Sequence, residues 1–301
     1  MLALFSCSKE EEALHYLRVA DVGAGWVKLS GRVKDADTYP ELTLRFWMSM
    51  NPDEVFYLGA MRNIPIDDGK MEVEDYHLAP ETTYYYGYKL TYRGGVYTSD
   101  LLSFKTKDLP QGTLDMGTDV LWASHNLGAN RPEEWGDSYA WGETSPKTEF
   151  SWDNYKWYNN GEITLYSSNS SSTKLELKED AAHAVLGGKW HMPSTEEMYK
   201  LSEVCDGIGC EYRGVPGRVF TNSITGNSIF FPSFFLHHYP DEDFYEGYYW
   251  LADWMREIDT YARGFKVQAI KKKTNSVSAY YGFEWFERYT AGAIRPVMDK
   301  E

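Results

Sequence analysis

Cysteine is scarce in this chain, positive charge is outweighed, and no long apolar run occurs. Only three cysteines stand among 301 residues, Cys7, Cys205 and Cys210, so thiol chemistry is read position by position and not as a framework. Lys and Arg number 30 against 45 Asp and Glu, a net charge of −15, and the longest basic run is Lys271 to Lys273. Nucleic-acid binding is driven largely by phosphate neutralisation, so no nucleic-acid partner is expected. The lysine run reads as a solvated turn or a sheet edge guarded against aggregation. No stretch of about 20 apolar residues is present, so no segment is expected to span a membrane.

What the chain has in quantity is aromatic side chains. They make up 16% of it, with 24 Tyr and 11 Trp, which points to β-rich structure and, secondarily, to a recognition surface. The length allows two domains, each with its own core.

The opening "MLALFSCSKEEE" places a short apolar run and a small residue before Cys7, and acidic residues after it. It resembles the end of a bacterial lipoprotein signal, with "SKEEE" similar to the surface-export signal of Bacteroidetes lipoproteins. The resemblance implies lipidation at Cys7, an outer-membrane, surface-exposed location, and a signal remnant with acidic tether over residues 1–12.

Residues 13–107 alternate short β-forming runs with turn signals such as Asp-Asp-Gly and Gly-Gly, the pattern of an all-β antiparallel sandwich. "LAPETTY", Leu78 to Tyr84, resembles the tyrosine-corner segment of fibronectin type III domains, which implies a fibronectin III or Ig-like fold. Tyr84, Tyr85, Tyr86 and Tyr88 lie on one predicted strand, one parity packing and the other facing water. A Pro and a Gly in "TKDLPQG" mark the boundary.

Residues 113–299 differ in texture, with Trp and Gly at irregular intervals. "LDMGTDVLWASHNLGANRPEEWGDSYAWGE", "DAAHAVLGGKWHMPSTEEM", "GNSIFFPSF" and "AGAIRPVM" resemble, in order, blocks of the Fibrobacter succinogenes major paralogous domain. That family is related to C-type lectin-like folds and to formylglycine-generating enzymes. The resemblance implies an α+β domain with a small sheet, long ordered loops and "AGAIRPV" as a terminal core strand.

It also raises an enzyme hypothesis, because those enzymes hold copper on two cysteines separated by four residues. Cys205 and Cys210 have that spacing but lie early, directly after a predicted helix, and no cysteine follows. A disulfide is the preferred reading for an exported chain, with free thiols and a redox or metal pair as alternatives. Calcium-dependent lectins use Glu-Pro-Asn or Gln-Pro-Asp with Trp-Asn-Asp, and none of these occurs. No cofactor is expected, with calcium as the alternative: the acidic segment "HHYPDEDFYEGYYWLADW" reads as a loop in which Asp241, Glu242 and Asp243 offer carboxylates for calcium beside Tyr239, Tyr245 and Trp254 as stacking residues. By analogy with the fold's later loops, Tyr280, Tyr281 and Trp285 join the ligand-binding candidates. His237 and His238 are adjacent on an extended segment and point apart, which argues against joint metal ligation.

"GGKWHMPSTEEMYKL", residues 187–201, sets a histidine near two glutamates. The spacing predicts a helix start: Ser194 as N-cap, Glu197 completing a capping box, Pro193 and Met198 as staple, Met198, Leu201 and Cys205 on one buried face. His191, on an extended segment between Trp190 and Met192, is expected to point away from their side. No catalytic residue is expected. The preferred expectation is a non-catalytic surface lipoprotein binding an extracellular glycan or protein through its second domain, with the membrane met only through the lipid anchor. A formylglycine-generating-type oxidase is the alternative, and a structural subunit of a surface appendage a further one.

Overall fold

A computed structural model describes residues 15–38, 41–56, 61–92, 94–239, 242–274 and 276–300. Cys7 with the whole of 1–12 lies outside the described residues, and so does Asp241. Strand makes up 47% of the structure and helix 10%, so the chain is built from antiparallel sheets. It divides into two units.

The first unit contains β1 (His15–Val22), β2 (Val27–Val33), β3 (Thr43–Ser49), β4 (Arg62–Ile64), β5 (Ile66–Asp67), β6 (Lys70–Asp75), β7 (Thr83–Tyr92), β8 (Gly95–Thr98) and β9 (Leu102–Lys105). One sheet runs β1-β2-β6-β5, the other β4-β3-β7-β8 with β9 also on β7. Strand alternation decides which faces meet. Val27, Leu29, Met71 and Val73 are buried from the first sheet, Leu44, Phe46, Tyr84, Tyr86, Tyr88 and Leu90 from the second. Tyrosines need partners for their hydroxyls when buried: that of Tyr86 donates to the Leu17 carbonyl at 3.4 Å, and that of Tyr92 to the Lys34 carbonyl. Tyr84 stacks on Phe104 at 5.7 Å. The β5–β6 hairpin closes on Asp68 and Gly69, both at positive φ (45° and 72°), as a two-residue turn that matches strand twist demands.

The second unit takes Gly23–Trp26, Tyr76–Thr82 and Thr106–Glu301. Its strands are β10 (Thr113–Asp115), β11 (Val120–Ala123), β12 (Tyr158–Asn159), β13 (Glu162–Ile163), β14 (Trp190–His191), β15 (Asp206–Tyr212), β16 (Val215–Thr221), β17 (Ser228–Pro232), β18 (Phe235–His238), β19 (Glu242–Trp254), β20 (Tyr261–Lys272), β21 (Val277–Glu287) and β22 (Val297–Asp299). Helices α1 (Ala181–Leu186) and α2 (Thr195–Val204) interrupt them. The sheets run β10-β11-β22-β14, β15-β16-β17 and β18-β19-β20-β21, with β12-β13 as a separate pair.

Helix α2 starts at Ser194 with both halves of the capping box formed, and it buries Met198 and Leu201 in a cluster with Phe220, Phe231, Phe265 and Val267. A second cluster gathers Tyr139, Trp141, Trp250, Trp254 and Ile294. "AGAIRPV" lies in the core as expected, yet regular strand pairing begins only at Val297; Gly292 and Ala293 make isolated bridges to Tyr139 and Tyr249. Its Arg295 is fully buried, hydrogen bonded to Asn126 Oδ1 at 2.9 Å and the Phe230 carbonyl at 2.8 Å, over the Phe231 ring at 4.5 Å.

Among the described residues, the segment expected to be a loop is mostly strand: alternating aromatic and polar residues satisfy the strand period, and β19 pairs with β18 on one side and β20 on the other.

Candidate functional site

The second unit carries a hollow of about 600 Å³ walled by Trp135, Phe150, Phe234 and Phe235, with Asp137 and Lys147 among its polar members. Trp135 anchors it. Its Nε1 donates to Ser138 Oγ at 3.0 Å, its ring stacks on Phe234 at 6.0 Å and 29°, and Phe235 meets it edge-on at 5.3 Å. The backbone must turn sharply between Trp135 and Asp137. Gly136 sits at φ 77°, where a Cβ would fall 2.3 Å from the Leu127 carbonyl oxygen, so only glycine fits.

Phe234 is 56% exposed, a large apolar side chain held beside the hollow by the stack rather than by burial. Lys147 contributes its stem and not a free charge: its Nζ is bonded to Glu143 Oε1 at 3.0 Å and to the carbonyl and side-chain oxygens of Asn154 at 3.1 and 3.2 Å. Asp137 Oδ2 accepts from the Tyr139 hydroxyl at 3.4 Å; burial first, and the Asp137 carboxylate second, push that phenol up to about 12. Aromatic faces beside carboxylate and hydroxyl acceptors suit stacking and hydrogen bonding.

The sequence-predicted ligand residues do not form one patch. Tyr239, 57% exposed, packs edge-on against Phe244 at 4.8 Å and lines a smaller hollow of about 230 Å³ with Glu242, Asp243 and the three lysines 271–273. Glu242 is registered against Lys272 and Asp243 against Lys271, and consecutive strand residues point to opposite faces. Half-buried Tyr245 shares Asp243's parity on β19. The side chains of Glu242 and Asp243 therefore leave opposite faces of the strand, and Asp243 is paired with His238. His237 approaches Glu246 at 3.4 Å and His238 approaches Asp243 at 2.8 Å, separate partners on opposite sides.

On β21, Tyr280 faces one side with 61% exposure, beside Lys266, Gln268 and Glu284. Tyr281 and Trp285 face the other, under the guanidinium groups of Arg218 at 4.9 Å and Arg263 at 4.7 Å. Trp254 is buried: it is 5% accessible, packed near Tyr166 and 5.0 Å from the Arg288 guanidinium, and it shares strand parity with the buried Trp250.

The expected disulfide is corrected as well. Cys205 ends α2 and Cys210 lies within the extended β15, which puts their Cα atoms roughly 16 Å apart, far beyond bridging range. Both are free and buried, Cys205 with Met198 and Leu201, Cys210 with Tyr212 and Phe230. Burial pushes each thiol up to about 12, so neither offers a thiolate at neutral pH, and their separation prevents joint metal ligation.

His191 faces the helix start. Its Nε2 lies 3.3 Å from Glu197 Oε1, and its Nδ1 lies 3.1 Å from the Lys189 carbonyl. Burial alone would lower its pKa, but the bonds to Glu197 and Lys189 outweigh this and raise it to about 9. For Glu197, burial opposes ionisation while His191 and Ser194 favour it, with a net lowering. The Asp299 carboxylate completes a group whose ligand atoms all lie within 4.8 Å of one another.

Trp135, Phe150 and Phe234 were missed as site residues by sequence reasoning. The usable signal was the Trp-Gly pair in "EEWGDSY", a ring followed by a residue free to turn; nothing in spacing ties it to Phe234.

No family model matches the sequence, and no curated protein matches it. Among solved structures the chain is similar to the sensor domain of the anti-sigma factor RsgI4 of Pseudobacteroides cellulosolvens, at 19% identity and TM-score 0.24, covering 34% of this chain and 95% of that one. It is also similar to a fibronectin type III domain of the human KIAA0970 protein, at 16% identity and TM-score 0.22, covering 31% of this chain and 71% of that one.

Proposed function

We propose that this chain is a surface lipoprotein that recognises an extracellular glycan or protein without chemical turnover, and that the ligand seats in the hollow walled by Trp135, Phe150, Phe234 and Phe235. The observation that carries the reading is the exposed Phe234 ring, stacked on an anchored indole at the edge of an aromatic-walled hollow. Rigid aromatic faces give contact area at low entropic cost, and nearby carboxylate and hydroxyl groups orient a polar ligand. The lipidation half of the reading rests on the "LFSCSKEEE" pattern at Cys7. The fold reading assigned with it is a fibronectin III-like sandwich followed by a C-type-lectin-like major paralogous domain, supported by "LAPETTY" and the ordered sequence blocks.

A glycan array combined with pull-down from host mucus or cell extracts tests recognition. Binding that survives Phe234→Ala and Phe150→Ala places the ligand elsewhere, and silence on every surface sinks recognition. Fractionation of cells expressing Cys7→Ser tests the anchor: unchanged membrane association contradicts it.

A further inference from the structure

We infer that His191, Glu197 and Asp299 form a binding site for a divalent metal ion of the zinc class, separate from the aromatic hollow. The three side chains come from β14, α2 and β22, elements brought together by the pairing of Trp190 with Met298 and His191 with Val297. A carbonyl oxygen only accepts, so the 3.1 Å contact to Lys189 puts a proton on His191 Nδ1 and turns Nε2 toward Glu197. This is the outer-shell bond that metal-binding histidines ordinarily make. Glu197 is held in the same manner from its far side: Oε2 accepts from the Ser194 N–H at 2.7 Å and the Ser194 hydroxyl at 2.8 Å, which leaves Oε1 for an ion. Capping the helix and ligating a metal thus use different oxygens.

The spacing fits a small cation. Two donors each about 2.0 to 2.1 Å from a tetrahedral ion stand about 3.3 Å apart, and Nε2 and Oε1 are at 3.3 Å. Asp299 is the exposed last residue of β22, and its carboxylate lies within 4.8 Å of the other two ligand atoms. A cavity of about 250 Å³ bordered by Glu197, Asp299 and Thr118 opens beside the group, space for the water that completes the coordination. One imidazole with two carboxylates selects a borderline ion such as zinc over calcium, which takes six to eight oxygens.

Zinc chloride titrated calorimetrically into the full-length chain tests the site, with His191→Gln and Asp299→Ala as variants. Asp299 is solvent-exposed, so its variant keeps the fold, and far-UV circular dichroism checks both. The expected result is one saturable equivalent in the parent chain and at least about tenfold weaker binding in each variant. Cobalt(II) in place of zinc gives a visible ligand-field band that His191→Gln abolishes. No saturable uptake by the parent, parent-like affinity in either variant, or displacement of zinc by equimolar calcium each overturns the assignment.

Discussion

The two carboxylate oxygens of Glu197 face two different partners: Oε1 stands 3.3 Å from His191 Nε2, and Oε2 accepts from Ser194 at 2.7 and 2.8 Å. One side chain therefore fastens the start of α2 to β14 through an ion pair and to its own N-cap through a capping box.

The ion pair makes stability depend on pH with a defined sign. His191 has its folded pKa raised to about 9 from 6.5, so its contribution is complete below pH 6.5 and is lost as pH rises through 9. Glu197 is lowered from 4.5, so its share is present above that value and is lost as pH falls. Chelator-treated parent and His191→Gln chains should differ most between about pH 5 and 6, by on the order of 2 to 3 kcal/mol, and converge above pH 9. Urea unfolding at several pH values measures this. A difference that grows with alkalinity contradicts the pairing.

Ser194→Ala removes the hydroxyl that accepts from the Glu197 N–H at 3.3 Å. Loss of an N-cap costs about 1 kcal/mol, up to about 2 where the cap is partly buried. The change should appear in the urea midpoint with an unaltered m-value, and ligand binding at the hollow should be untouched.

Trp254 acts in the core. Trp254→Ala should cost about 3 to 5 kcal/mol through the cavity it leaves. Its Nε1 has no hydrogen-bond partner among the described residues, so Trp254→Phe removes an unsatisfied donor and should cost less than about 1.5 kcal/mol. Thermal unfolding of the two variants separates this role from a ligand contact, for which both would weaken binding at unchanged stability.

The thiols give a simple count. In a Cys7→Ser chain, Cys205 and Cys210 should be silent to an aromatic disulfide reagent while folded, and two thiols should titrate after denaturation without reductant. Two thiols missing after denaturation would mean a disulfide.

These cases show which features were legible in the sequence. The start of α2 was readable because an N-cap is a contract between residues three apart, and Ser194 and Glu197 carry it alone. The alternation of Tyr84, Tyr86 and Tyr88 inward on β7 was readable from strand period. Trp254 was misread because its acidic neighbours suggest a solvated loop, whereas the twelve-residue β20 pairs along the segment and strand parity buries its indole with that of Trp250. The separation of Cys205 from Cys210 depends on whether the intervening residues coil or extend, and spacing does not decide that. The hollow was the least legible feature, since Trp135 and Phe234 are brought together only by tertiary packing.

The claim that recognition occurs at this hollow meets its most direct test in one binding measurement. A ligand identified on the glycan array or by pull-down is titrated against the parent chain and against Phe234→Ala, whose exposed site makes the substitution mild for the fold. The account predicts a loss of affinity of about tenfold or more, equivalent to about 1.4 kcal/mol, with the unfolding temperature unchanged. Equal affinity in the two proteins would contradict it.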